Sequence, residues 1–478
     1  MNQVVLPHLS TIDLCIIIGY IVANAFIGFI TFKRKGKVKS EVEEYILAGR
    51  KLTLPAFVAS LVSTWYGGII AVGEYVYDNG IVTWIVFGVP YYVAGLVFAW
   101  VLASRVNSDT VHVSIPDRLR GVYGVRAGYI GAVATAFMTS PAAYIMMLAT
   151  LYEWFFGFNF VFSVAIALVS SITYLFYGGF RASVRADMLQ LIMMFIGFGI
   201  ILPFAFSDLG GLSYLTSHLP ASHTSPFGNF SILYVLVWYL AAMTTLVDPN
   251  VHQRVFAVSS PKIAKKGMYW SVFFWLVFDF MTNATGLYAF AAFPNLSESK
   301  FAYPALAEYL LPVGIKGLFY TGMLATVLST VDSFTFTSAT IIGRDILWRI
   351  WGHAREDREK RFIQIGLVVT AVLSVIVISL STKIYLIWYS FSSVLVPTLL
   401  LPLTLSYFPK LKPTGKRVEI AMVVSGLVSL LQFIIGNILG GSGEAQYLWG
   451  IEPMFVGLIA SVLILLPPIL KKRHGHGI

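Results

Sequence analysis

Along the chain, apolar runs of membrane-spanning length alternate with short breaks of Gly, Pro and charged residues. A helix needs roughly 20 mostly apolar residues to cross the hydrocarbon core of a bilayer. Laid along the sequence, that length predicts thirteen transmembrane helices, at 11–32, 53–77, 80–104, 127–154, 159–178, 184–207, 230–248, 268–293, 314–341, 363–381, 384–408, 418–438 and 447–470. The pattern is that of an all-α integral membrane protein, a single transmembrane domain over residues 1–478. The longest exterior connection, 207–229, is rich in Ser, Gly and Pro and carries no Lys or Arg, which argues against a fused kinase or sensor module.

Composition agrees, with 57% hydrophobic and only 12% charged residues and a mean hydropathy of +0.78. A formal charge of +10 would fit nucleic acid if it formed a basic face on a soluble domain. Here the charges sit in short loops, so they report topology and predict no nucleic-acid partner. Lys and Arg accumulate on the cytoplasmic side of such loops. With the N-terminus outside, 30 of the 33 fall inside, the first cytoplasmic loop holding Lys33, Arg34, Lys35, Lys37, Lys39, Arg50 and Lys51. Only Lys300, Lys316 and Lys383 fall outside. One missed helix would invert every later loop, so the expectation is a multi-pass protein of the cell (inner or plasma) membrane with its C-terminus in the cytoplasm. The stretch Met1 to Ser10 lacks the basic start of a cleaved signal, and the first span reads as a retained helix. A single cysteine, Cys15, offers no disulfide framework or thiolate metal site. The tail KKRHGHGI, with His474 and His476, reads as a solvated end.

Chemistry is sought where polar groups enter the bilayer. An Asp at a helix centre costs about 2.5–3.5 kcal/mol on insertion scales, so each one retained is a functional candidate. Glu74, Asp187, Asp279 and Asp332 qualify, and for Glu74 and Asp279 a structural anchor between helices is an equal reading. In the ninth span Thr326, Ser329, Thr330, Ser333, Thr337 and Thr340 recur at spacings of three and four, which puts them on one helical face. Hydroxyl stripes also glue membrane helices together. Six in register, with Asp332 three residues from Ser329, form an oxygen-lined seam suited to a hard monovalent cation that must bind and then leave. The second span carries Gly67 and Gly68 in the middle of an apolar run. Either close packing against a neighbour or an unwound segment at the bilayer midplane accounts for them. The eight His residues are scattered among loops and tails, unlike an enzyme centre, and no repeated filter motif points to a channel.

Four segments carry a family resemblance. EEYILAGRKL followed by STWYGG, YGGFRASVRADMLQ, DPNVHQRVFAVSSPKIAKKG and LATVLSTVDS occur in order, at the spacing of the sodium:solute symporter family and on the sides that the charge count requires. The chain resembles that family over most of its length. The resemblance implies a leucine-transporter-type fold: inverted repeats of five helices at 53–207 and 230–408, with one extra helix at 11–32 and two at 418–470. It implies a sodium ion held by the carbonyls of Ser63, Tyr66 and Thr326 and the hydroxyls of Ser329 and Thr330. It also implies a candidate second cation or proton site at Asp187, Asp332 and Ser333, where Asp332 departs from the hydroxyl usual in the family. The substrate lining carried over is Trp65, Gly67, Gly68, Ser140, Thr244 and Thr245, with Asp279 as partner for a cationic group, and Asp248, Gln253 and Arg254 anchor the inner end of a core helix.

The expected activity is sodium-coupled symport of a small polar organic solute into the cell by alternating access, with sodium as coupling ion and no other cofactor. A proton-coupled or uncoupled carrier on the same fold is the rival, motivated by Asp332. Neither a sugar nor proline is supported as substrate, since Ile69 and Ile70 stand where sugar carriers place a glutamine, and Ala241 and Thr245 where proline carriers place aromatics. Around Met138 to Pro141 there is no Arg of the kind that clamps a carboxylate in sialic-acid carriers.

Overall fold

The computed structural model describes residues 7–33, 41–352, 355–380, 384–441 and 445–474. Arg34, Lys35, Lys37, Lys39, Lys383 and His476, used in the charge and tail readings, lie outside the described residues. Lipid offers no hydrogen bonds, so a chain that crosses it must satisfy its backbone within helices or closed barrels. Accordingly the described residues are helical, with no strand beyond a single isolated bridge between Leu52 and Val258.

In chain order the principal helices are α1 (Thr11–Lys33), α2 (Glu41–Leu47), α3 (Leu54–Trp65), α4 (Ile69–Asn79) and α5 (Trp84–Asn107, with two π-helical turns). Next come α6 (Ile115–Tyr123), α7 (Val125–Met138), α8 (Ala142–Phe156), α9 (Phe160–Asp208), α10 (Ile232–Ala241), α11 (Pro249–Ala257) and α12 (Pro261–Ala292). The remainder are α13 (Ala302–Leu310), α14 (Ile315–Thr340), α15 (Glu356–Leu380), α16 (Ile384–Ser406), α17 (Gly415–Gly440) and α18 (Pro453–His474). Among the described residues seven helices are long and apolar enough to cross a membrane, and the bent pair α3 and α4 makes an eighth.

Three departures from the expected spans shape the interior. The second span is broken, α3 and α4 meeting at 58°. The fourth is interrupted at residues 139–141, between α7 and α8. The fifth and sixth run on as α9, 49 residues hinged at Gly179, whose φ of 57° favours glycine. At 1.5 Å per residue α9 would be roughly 73 Å long if straight, more than twice the hydrocarbon thickness, so it supplies more than one crossing.

The centre of the bundle is the contact of α9 with α14. A Cβ on Gly197 would lie 2.8 Å from the Cα of Gly322, so the two backbones touch, as small residues permit in membranes. Helix α1 lies against both. Its Asp13 accepts from the amides of Gly314 and Gly317, 2.8 Å each, and so caps the N-terminus of α14. At the opposite end of the bundle the start of α3 is tied down. Leu52 N donates to Ala257 O at 3.0 Å, Asn107 donates to Val255 O and Val258 O at 2.9 Å each, and Arg50 donates to the carbonyls of Asp109, Thr110 and His112 at 2.9–3.3 Å.

Candidate functional site

The break at Tyr66 to Gly68 leaves the last carbonyls of α3 without partners in their own helix. One of them is already used: Thr330 Oγ1 donates to Thr64 O at 2.8 Å. The seam on α14 thus lies directly against the break. A Cβ on Gly67 would fall 2.4 Å from Thr330 Cβ and 2.5 Å from its Oγ1, so only glycine lets the unwound segment approach that hydroxyl. On the adjacent residue, Ser329 Oγ lies 2.9 Å from Ser63 Oγ and 2.7 Å from Asp187 Oδ1. A hydroxyl has one proton and two lone pairs. With the proton of Ser329 given to the carboxylate, its lone pairs remain for a cation.

The structure therefore brings Ser63, Tyr66, Thr326, Ser329 and Thr330 to one buried contact of α3 with α14, all at most 6% exposed. Overpacking this contact has a calculable cost. Gly67→Ala is expected to destabilise the protein by about 1–3 kcal/mol and to weaken its response to sodium, read as the shift of melting temperature on titration with NaCl.

Behind this contact lies the Arg of the segment that follows α10. Arg254, on α11, expected as an anchor at the inner end of a core helix, is fully buried and reaches into the bundle, where it pairs with Asp187. Its Nε donates to Ser60 Oγ at 2.8 Å, and its Nη2 lies 2.6 Å from both Thr64 Oγ1 and Ser333 Oγ and 3.5 Å from Asp187 Oδ2. Ser60 Oγ also donates to Asp187 Oδ2 at 2.5 Å. Asp187 thus faces the seam with one oxygen and the guanidinium with the other. Ser60 and Thr64, which the sequence reading did not single out, stand four residues apart on α3, so their spacing with Ser63 was a legible polar face. Their neighbours Gln253 and Asn250 both accept from Thr337 Oγ1, at 2.8 and 2.6 Å, and Asp248 caps α11 through the amides of Asn250 and Val251.

Asp332 takes no part in the hydrogen bonds that join Asp187 and Ser333 to Arg254. It receives the phenol of Tyr174 and, at 3.4 Å, the amide of Gln190, on the side of α14 that faces α9 and α1.

The proposed substrate residues fall in two groups around α5. Trp65 stacks on Trp275, ring centroids 4.7 Å apart, and meets Tyr91 edge-on at 5.3 Å. Thr244 and Thr245 sit in the tight 3₁₀ turn that ends α10, Thr245 with a buried hydroxyl that lacks a partner among the described residues. The indole nitrogen of Trp275 is likewise buried and unpartnered. Asp279 accepts from the Tyr92 phenol, which also takes the Trp84 indole N–H at 2.9 Å, so its carboxylate is engaged by α5. Ser140 stands in the interruption between α7 and α8. Glu74, on α4, is exposed and lies outside these groups.

Comparison with known proteins gives one consistent answer. The model of the sodium:solute symporter family matches residues 45–415. The chain is 23% identical to sodium/proline symporter 2 of Staphylococcus saprophyticus, over 97% of this chain and 93% of that one. It is 24% identical to the sodium/pantothenate symporter of Haemophilus influenzae, over 79% and 81%. Among solved structures, a substrate-bound, outward-open Na+-coupled sialic acid symporter superposes with a TM-score of 0.79 at 14% identity, covering 97% of this chain and 98% of that one.

Proposed function

The chain belongs to the sodium:solute symporter family, a family of sodium-coupled membrane carriers and not of enzymes, and from that premise we propose how its residues couple the ion to a small polar organic solute. The observation that carries the reading is the contact of the α3 break with the α14 seam, where Gly67 gives way to Thr330 and Ser329 meets Ser63. Sodium sits there, held by the carbonyls of Ser63, Tyr66 and Thr326 and the hydroxyls of Ser329 and Thr330. Neutral oxygens replace its water while adding little charge, so the site both fills and empties.

The solute lies beside it, against Trp65, Gly67, Gly68, Ser140, Thr244 and Thr245. The buried, unpartnered Thr245 hydroxyl and Trp275 indole support a polar ligand there, since such groups are normally satisfied. A cationic group on the solute would compete with Tyr92 for Asp279. Binding sodium fixes the angle of the break and with it the wall of the solute pocket, which makes the two affinities reciprocal. Sodium entry releases about 2.3 kcal/mol per charge per 100 mV of membrane potential in addition to its concentration gradient.

The thirteen spans are read as two inverted repeats, 53–207 and 230–408, with α1 before and α17 and α18 after, the N-terminus outside and the C-terminus in the cytoplasm. In that orientation the ties from Arg50, Leu52 and Asn107 hold the inner side shut, and alternating access requires their release.

The test needs no knowledge of the solute. A ligand that binds only the folded state stabilises it by RT ln(1 + [L]/Kd), about 2.7 kcal/mol at a hundred times Kd. The detergent-purified protein is expected to melt higher in NaCl than in equal KCl or choline chloride. An equal response to all three salts would overturn the sodium assignment.

A further inference from the structure

At the end of the bundle where Arg50, Leu52 and Asn107 tie down α3, a pocket of about 500 Å³ opens between the ends of α5, α6 and α16, lined by Ser104, Arg105, Ser108, Arg118 and Tyr407. Two consecutive aromatic residues carry its two guanidinium groups: Arg118 lies over the Tyr407 ring at 4.5 Å and Arg105 over the Phe408 ring at 4.6 Å. A guanidinium that rests on a ring keeps its edge, with its fork of N–H groups, free to bind. Arg118 spends three of them, on Asp109 Oδ2 at 3.0 Å, Ser406 O at 2.6 Å and Ser406 Oγ at 3.3 Å. Arg105 spends one, on the carbonyl of Val101 in its own helix, and has no carboxylate partner among the described residues. A guanidinium has five such donors, so most of those on Arg105 are uncommitted.

The acids near the pocket are already taken. Asp109 is shared by Arg118 and by His112 Nδ1, at 2.8 Å, and Asp117 on α6 is held by Arg344 and Arg349. Ser104 Oγ reaches Pro261 O, at 3.5 Å, which brings the start of α12 alongside. Residues 98–108, 261–272 and 399–418 contain no Asp or Glu, but they contain Lys262, Lys265, Lys266, Lys410 and Lys412. The topology rule puts basic residues on this side of the membrane; it does not account for two ring-supported guanidinium groups in one concavity. Trp100, one turn before Ser104 on α5, is 75% exposed, and Tyr269 and Trp270 on α12 are exposed as well. Such residues line the boundary between membrane and water, which sets the pocket at headgroup depth.

We infer that this pocket binds a phosphate group on the cytoplasmic face, gripped by the forks of Arg105 and Arg118; the inference rests on the orientation proposed above. Basic pockets between the cytoplasmic ends of membrane helices suit the headgroup of an anionic lipid, and the same forks suit inorganic phosphate. Arg118 and Arg50 grip one residue, Asp109, the first through its carboxylate and the second through its carbonyl at 3.1 Å. An occupant therefore adds a tie to the closed inner side.

The test is the melting temperature of the delipidated, detergent-purified full-length protein, titrated in potassium salts with short-chain phosphatidylglycerol, short-chain phosphatidylcholine or inorganic phosphate. Phosphatidylglycerol is expected to raise it and phosphatidylcholine to leave it unchanged. A rise with inorganic phosphate as large as that with phosphatidylglycerol would make the occupant a free anion, and no rise with phosphate would make it a lipid. Arg105→Ala is expected to raise the half-maximal concentration by about tenfold. Its melting temperature without ligand should stay near that of wild type, because Arg105 is exposed and bonds only within its own helix. Arg358→Ala removes an exposed Arg on α15, which does not line the pocket, and should leave the titration unchanged. Equal weakening in the two variants, or no response of wild type to either anionic probe, overturns the pocket. The sodium response separates this site from the seam: Arg105→Ala should retain it, and a wild type that responds to phosphatidylglycerol but not to sodium would sink the seam and leave the pocket standing.

Discussion

Arg254→Ala is expected to lower the stability of the protein by about 3–5 kcal/mol, the cost of stripping the partner from a buried ion pair. The guanidinium is the only cation that contacts Asp187 among the described residues, and Asp187 is itself fully buried. Removing Arg254 also takes a donor from Ser60, Thr64 and Ser333, each of which faces it within 2.8 Å. The damage reaches the ion, because the other oxygen of Asp187 holds Ser329 by a 2.7 Å bond. A freed carboxylate would draw sodium toward itself or rotate Ser329 away, and in either case the response to sodium changes along with the melting temperature. Pairing the change with Asp187→Asn removes the uncompensated charge, and the double variant is expected to recover a good part of the lost stability. A double-mutant cycle on melting temperature measures that coupling. Strict additivity of the two single changes would show that the pair does not interact. Arg254→Lys is expected to rescue only in part, since one ammonium cannot reproduce a fork that spans Ser60 on one nitrogen and Thr64 and Ser333 on another.

Much of this was legible in the sequence because it rests on two periodicities. Apolar length pointed to the membrane helices, of which seven, or eight with the bent pair, are long and apolar enough to cross among the described residues, and the spacing of three and four along the ninth span pointed to the seam. The glycine pair at 67 and 68 allowed two readings, and both describe what is found: the helix breaks there by 58° and packs Gly67 on a neighbouring side chain. What the sequence hid depends on contacts across elements. Arg254 stands in a motif on the cytoplasmic side, PNVHQRVFA, where the charge rule alone accounts for an Arg, and nothing local reveals that its side chain enters the core. Asp332 and Ser333 are adjacent in the chain, yet successive residues on a helix point about 100° apart, so one turns toward α9 and α1 and the other toward Arg254. Grouping them in one site followed the family resemblance, whereas their hydrogen bonds run to different partners. Tyr20 carried no motif, and Gln190 closed the YGGFRASVRADMLQ segment without a role of its own. Only the packing of α1 against α9 and α14 brings them to Asp332.

Ser329→Ala/Thr330→Ala is expected to abolish sodium-specific stabilisation by the seam and to raise the sodium concentration needed for half-maximal uptake by roughly a hundredfold or more. Each hydroxyl lost to a charged ligand is worth about 1.5–3 kcal/mol, and every 1.4 kcal/mol is a factor of ten. The two positions can be told apart from simple packing damage. Thr330→Val keeps the shape that Gly67 rests on and removes only the oxygen, so its sodium-free stability should fall by no more than the one bond to Thr64 O, about 1 kcal/mol. Its sodium response should nevertheless weaken by about tenfold or more. Thr330→Ser makes the opposite exchange, keeping the oxygen and opening a methyl-sized gap beside Gly67, and should bind sodium while melting lower without it. If Thr330→Val responds to sodium as wild type does, the Thr330 hydroxyl is a helix-to-helix hydrogen bond and no ligand.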